Sequence, residues 1–311
     1  MDAAATGAGH HRLPNLIIAG VSRAGTTSLF RYLGQHPEVC SSDVKELRYF
    51  TPLRYGDQPG PLEAYRAHFG RCPDTAYRVE ATPGYFYGGR ALARGIREVC
   101  SDDVRIVVSL RSPVDRCWSW FRFVKSRLRI PQEMPFEEYV ERCHALHREG
   151  VDDRVENQPY WGLGGGCYAR WLDSWTEEYG HHLRVVLFDD LAADPRAVTR
   201  CLCSWLEIDE REVDRMELDA ENRATPYRNR TLQRAAVTVN RRAEAFFHEH
   251  PHAKRLVRRG YFLLNRGQAE SAMSPDVRAR LEEFYQPHNR LLERQLARLG
   301  LSVPASWQRV A

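Results

Sequence analysis

Residues 16–33 read LIIAGVSRAGTTSLFRYL, and the order of residue types in this stretch decides the fold. A β-branched apolar run without polar alternation, 16–21, suits a strand buried on both faces. It runs directly into Gly20-Val-Ser-Arg-Ala-Gly25-Thr26-Thr27, and a helical stretch follows over 27–33. The spacing of Gly20 and Gly25 with a closing hydroxyl residue is that of a P-loop, which aims successive backbone N–H groups and a helix N-terminus at an anion. Thr26 stands where a Walker loop has its phosphate-binding lysine, and no acidic strand end offers a convincing Walker B metal ligand. The basic group is instead Arg23, in the middle of the loop. Such a loop suits a sulfuryl group, which carries less charge than a phosphoryl group and has less need of a metal clamp.

Working outward, two further apolar runs, VRIVVSL at 104–110 and LRVVLF at 183–188, each precede a helix start, and 77–79 adds a shorter strand. Helices are expected at 89–99, 113–128, 136–147, 168–179, 195–206, 231–248 and 275–299. The second of these is the best marked: Ser112 can cap it, Pro113 fits its first position and Asp115 completes a variant capping box. Irregular segments are expected at 49–61, 151–166 and 218–229. Strands alternating with helices predict an α/β fold, P-loop-containing and three-layered, with a central, mostly parallel sheet flanked by helices. A tail over 1–12 and one domain over 13–307 are expected.

The chain has 311 residues, 43% of them hydrophobic, with 45 Lys+Arg against 41 Asp+Glu. That composition excludes disordered and fibrous classes, and a formal charge of +4 is too weak and too spread to bind nucleic acid by itself. Only three of the basic residues are lysines, Lys45, Lys125 and Lys254. No apolar run approaches the ~20 residues of a membrane span. Eight cysteines without a CxxC pair read as free thiols in a reducing compartment, so a cytoplasmic location is expected. The histidines of HEHPH, 248–252, read as a solvated turn, and no metal is expected.

Arg111 ends the second apolar run, and Ser119 lies seven residues beyond the capping Ser112. In an open α/β sheet ligands sit outside the carboxyl ends of the strands, so this pair and the glycine loop could hold two phosphates of one nucleotide.

The segments LIIAGVSRAGTTSLFRYLGQHPEV, KELRYF, VEATPGYF, IVVSLRSPVDRCWSWF and GCYARWLDSW, followed by the late MSPDVRARLEEFYQPHNRLLERQL, occur in the order and rough spacing of PAPS-dependent sulfotransferases. The chain most resembles the heparan-sulfate O- and N-sulfotransferase type and its bacterial relatives, over about residues 13–307. The resemblance implies that Ser22, Arg23, Ala24, Gly25, Thr26 and Thr27 bind the 5′-phosphosulfate of PAPS, with Arg23 where many members have a catalytic lysine. Arg111 and Ser119 match the 3′-phosphate pair, and Glu46 falls at the proposed general base, beside Lys45. Thr82, Pro83 and Tyr85 match a strand-end stretch that would line the acceptor site, and Tyr168, read from its place beside the glycine run 162–166, is a further candidate for lining it. Arg228 and Arg230, in the basic stretch 223–234, are candidate phosphate ligands in place of the family's Lys-Gly-rich loop after a disulfide. Arg23 keeps the lysine's charge but cannot readily lose its proton, so it stabilises the bridging oxygen without giving up a proton to it.

The expected reaction moves a sulfuryl group from PAPS to a hydroxyl or amine of a small-molecule, lipid or carbohydrate acceptor, releasing PAP. Two competing readings are a P-loop kinase or NTPase and an inactive relative that retains only binding. Thr26 and the missing Walker B acid count against the first, and intact Glu46, Arg111 and Ser119 against the second.

Overall fold

The computed structural model describes residues 13–219, five positions between 232 and 239, and 272–307. The expected tail over 1–12, nearly all of the helix expected at 231–248, and both Arg228 and Arg230 lie outside the described residues.

Five strands, β1 (Leu16–Gly20), β2 (Val39–Ser41), β3 (Tyr77–Ala81), β4 (Arg105–Leu110) and β5 (Leu183–Leu187), form one sheet in the order β2-β3-β1-β4-β5. Every pairing is parallel. All five residues of β1 are buried, as its unbroken apolar run requires of a central strand. The chain leaves β1 toward β2 and β3 on one side and later returns to β4 and β5 on the other. The loop after β1 therefore opens at the point where the strand order reverses, the crevice in which sheets of this kind hold ligands.

Among the described residues the chain divides into two compact units. The first comprises 13–111, 168–219 and 291–304 and contains the whole sheet. On one face, α1 (Thr26–Leu33) packs Leu29, Phe30 and Leu33 with Leu16, Ile18, Val79 and Ala81 of the strands. Leu202 and Leu206 join the same cluster from α8 (Pro195–Trp205) and its end. Elsewhere in the unit, α3 (Gly89–Val99) and α6 (Ala169–Tyr179) pack together. Trp175 of α6 is fully buried, stacks on Phe86 at 6.4 Å and donates its indole N–H to the Phe86 carbonyl at 2.9 Å. That bond satisfies the one polar atom of an otherwise apolar side chain, and it pins the turn that follows β3. Two short helices also belong to this unit: α2 (Leu62–Ala67), which the sequence pattern did not mark, and α7 (Phe188–Ala193), for which it gave only a helix start after LRVVLF. Six residues carry too little periodicity to announce a helix.

The second unit contains α4 (Pro113–Ser126), α5 (Phe136–Arg148) and the first part of α9 (Pro275–Ala297). Ser112 caps α4 by accepting the Asp115 N–H, as its sequence predicts. Arg116, fully buried, donates to the carbonyls of Gly162 and Trp161 at 3.1 and 3.2 Å. Tyr285 of α9 donates to the Leu163 carbonyl at 2.8 Å. These bonds hold the glycine-rich segment 162–166 of the same unit.

The reading of all eight cysteines as free thiols is wrong for two of them. Cys40 in β2 and Cys72 beyond α2 form a disulfide, with Cα atoms 5.7 Å apart across 32 residues of sequence. No local spacing announces this pair, because only the folding of α2 back toward the edge strand brings it together. With it goes the support that cysteine usage lent to a reducing compartment. The other six form no disulfide, and only Cys201 is exposed. Thiol titration should accordingly find one fast-reacting group in the native protein, six after denaturation and eight after reduction. Eight without reduction would rule the bridge out. Closing a loop of this length stabilises the fold by up to about 4 kcal/mol through the unfolded chain, so Cys40→Ser should lower Tm markedly.

Candidate active site

The glycine loop is shaped by two close approaches. A Cβ on Gly20 would lie 2.5 Å from the Phe86 Cβ, so only glycine lets the end of β1 pass the turn after β3. Gly25, the residue preceding α1, has φ 81° and would place a Cβ 2.7 Å from Leu191 Cδ2 and 3.0 Å from Phe188 Cδ2 of α7. Having no side chain, it leaves the first N–H groups of α1 uncapped by its own residue, available to an anion.

The end of β4 braces this loop at three points. The Val21 N–H donates to the Ser109 carbonyl at 2.9 Å, the Ser109 hydroxyl to the Ala24 carbonyl at 2.6 Å, and Arg111 Nη1 to the Arg23 carbonyl at 3.2 Å. Arg111 is itself steadied: its guanidinium lies 4.6 Å from the Phe188 ring centre, and its carbonyl accepts the Tyr168 hydroxyl at 2.8 Å. Ser109 went unrecognised in the sequence, although it is the one neutral polar residue of VRIVVSL and fully buried, a position that demands a hydrogen-bonding task. Ser119, the proposed partner of Arg111, lies half-buried on α4 in the second unit.

Beyond β2 the chain forms a cluster of charges. Lys45 Nζ lies 3.3 Å from Glu46 Oε1, and Arg48 Nη2 3.2 Å from Glu46 Oε2. The Lys45 side chain is 18% exposed and that of Glu46 41%, so the carboxylate is reachable while its lysine partner is sheltered. Burial alone would raise the Glu46 pKa, but Lys45 and Arg48 outweigh it and hold the group below the usual carboxylate range. Burial pulls Lys45 down from the ordinary lysine value against the opposing attraction of Glu46. Backbone strain gathers here too. Arg23, Glu46 and Arg48 are three of the five non-glycine residues with positive φ among the described residues, at 74°, 67° and 58°. Each such conformation costs about 1–2 kcal/mol for an L-residue and persists only where neighbours impose it.

Thr82, Pro83, Tyr85 and Tyr168 are all buried. The hydroxyls of Thr82 and Tyr85 donate to Glu80 and that of Tyr168 to Arg111, so these side chains stand behind the charged cluster and the loop. Among the described residues no group of three or more His, Cys, Asp or Glu is placed to hold a metal ion, and no helix is long and apolar enough to cross a membrane.

A family model described as "Sulfotransferase domain" matches residues 13–293. The chain belongs to the sulfotransferase family. It is 25% identical over 288 residues to mouse heparan sulfate glucosamine 3-O-sulfotransferase 3B1, covering 92% of this chain and 64% of that protein. It is 24% identical over 208 residues to the bifunctional heparan sulfate N-deacetylase/N-sulfotransferase 1 of Caenorhabditis briggsae, covering 64% of this chain and 23% of that protein. This sulfotransferase chain thus spans less than two thirds of the length of either relative. A sulfotransferase structure from Alicyclobacillus acidocaldarius aligns with a TM-score of 0.65 over 95% of this chain and 99% of that one, at 21% identity, which establishes the shared fold.

Proposed function

We propose that the protein transfers the sulfuryl group of PAPS to a hydroxyl or amine acceptor by in-line displacement. The carrying observation is the bracing of the β1 loop by β4, which sets Arg111 against the Arg23 carbonyl at the switch point of the sheet. Loop N–H groups over 22–27 bind the 5′-phosphosulfate, and Arg111 binds the 3′-phosphate. Glu46 takes the proton from the acceptor as its oxygen or nitrogen bonds to sulfur. The bond from sulfur to the 5′-phosphate oxygen breaks at the same time, and PAP leaves with the electron pair. Arg23 and Lys45 stabilise the charge that gathers on the bridging oxygen. A strained, fixed geometry at Arg23 and Glu46 supports this assignment, since it removes reorganisation at the moment of reaction. The names of the relatives make glucosamine-containing carbohydrate the first acceptor class to assay, ahead of lipid and small-molecule acceptors.

Calorimetry with PAP tests the donor site, using ATP and ADP as controls, with and without Mg²⁺. Binding should be independent of metal and require the 3′-phosphate. Arg111→Ala should weaken it about 10- to 100-fold, the worth of a charge-assisted hydrogen bond. A preference for Mg·ATP would return the loop to the kinase reading.

A further inference from the structure

Glu80 lies at the end of β3 with no exposed surface, and it is the one acidic residue among the fully buried side chains of the sheet. Its carboxylate accepts three hydroxyls: Thr82 at 2.7 Å and Tyr85 at 2.8 Å on Oε1, and Tyr65 on Oε2. Two of these hydroxyls do a second task. Thr82 Oγ1 accepts the Arg48 N–H at 3.2 Å, and the Tyr85 oxygen accepts the Phe50 N–H at 3.3 Å. A backbone N–H can only donate, so each of these hydroxyls must turn its own proton to Glu80. An acceptor at Oε1 is therefore what orients both.

The pattern continues the sheet by other means. Past β2, the Ser42 N–H donates to the Val79 carbonyl and the Glu46 N–H to the Ala81 carbonyl, each at 3.0 Å. Beyond β3 no strand carbonyls remain, and the hydroxyls of Thr82 and Tyr85 take their place for Arg48 and Phe50. The Phe50 ring, fully buried, fits edge-on between Tyr65 and Tyr85 at 5.5 and 5.6 Å. Glu46 and Arg48, both at positive φ, sit between these fixed points.

We propose that Glu80 is a positioning residue for sulfuryl transfer: through the Thr82 and Tyr85 hydroxyls it fixes the backbone of residues 45–50 and so aims Glu46. The inference rests on Glu46 being the general base. Burial raises the Glu80 pKa while its three hydroxyl partners oppose that rise, so the site is built to keep an acceptor where water cannot supply one.

PAP release from PAPS, with water standing in for the acceptor, gives a readout that needs no identified substrate. The cycle of wild type, Glu46→Gln, Thr82→Val and the double variant is followed alongside PAP affinity and Tm. Thr82→Val should lower kcat about 10- to 100-fold with PAP affinity unchanged, since a displacement near 1 Å at the reacting groups costs that much. Thr82→Ser should restore it. The double variant should turn over no more slowly than Glu46→Gln alone, because Thr82 acts only through Glu46. Glu80→Gln, which keeps an oxygen acceptor for both hydroxyls, should retain most of the wild-type kcat, and Glu80→Met should lose it. Wild-type kcat in Thr82→Val, a lowered Tm as its sole effect, or a further loss in the double variant each overturns the positioning role and leaves the base intact. Wild-type turnover in Glu46→Gln overturns the base assignment and the positioning role with it, as does a wild-type protein that releases no PAP.

Discussion

Glu46→Gln is expected to lower turnover by about 100- to 10,000-fold, the range for loss of a positioned general base, while PAP affinity in calorimetry stays near the wild-type value. The amide keeps the size of the side chain, but its single oxygen can accept from only one of Lys45 and Arg48, and it cannot take a proton from the acceptor. The pH profile sharpens the test. Glu46 works ionised, and Lys45 and Arg48 hold its pKa down against burial. The acid limb of kcat therefore falls below the ordinary glutamate range. Lys45→Met removes the larger of the two opposing charges, so burial gains weight and the limb should move to higher pH. An acid limb that stays in place in Lys45→Met, or full turnover in Glu46→Gln, would remove the carboxylate from the reaction.

Gly25→Ala is expected to damage donor binding and turnover together, by about 100-fold in kcat/KM, with the loss visible as weakened PAP affinity. The residue sits at φ 81°, where an L side chain costs about 1–2 kcal/mol. The new methyl would press on Leu191 and Phe188, and Phe188 is also the ring against which Arg111 rests. Relief requires the loop, α7 or both to shift. A misplacement near 1 Å carries a rate cost of about 100-fold. Unchanged PAP affinity in a folded Gly25→Ala protein would show that the loop is not the donor cradle.

Much of the fold around the candidate site was legible because its logic is local. A strand running into a glycine loop and then a helix is a contiguous signal, and the observed β1 and α1 fall where LIIAGVSRAGTTSLFRYL places them. The same holds for α4, announced by Ser112, Pro113 and Asp115, and for α3, whose ends match the expected 89–99. Lys45 and Glu46 are neighbours in the chain, and their ion pair follows from that adjacency. Short elements were harder. The three residues of β2 and the six of α2 fall below the length at which periodicity can be read.

Contacts between distant segments are where the sequence stops. VEATPGYF holds Glu80, Thr82 and Tyr85 within six residues, but that Tyr65 of α2 joins them on Glu80 is a contact across 15 positions that no local pattern announces. The Cys40–Cys72 bridge and the Ser109 bond to Ala24 likewise join residues 32 and 85 positions apart. Sequence alone determined the class of the fold, the glycine loop between β1 and α1 and the identity of the charged residues, because strand burial, glycine geometry and side-chain charge belong to a residue and its near neighbours. Tertiary structure alone decided which buried polar groups satisfy one another and hold Glu46 at a strained backbone angle, because a buried polar group must find its partner wherever the fold brings one within reach.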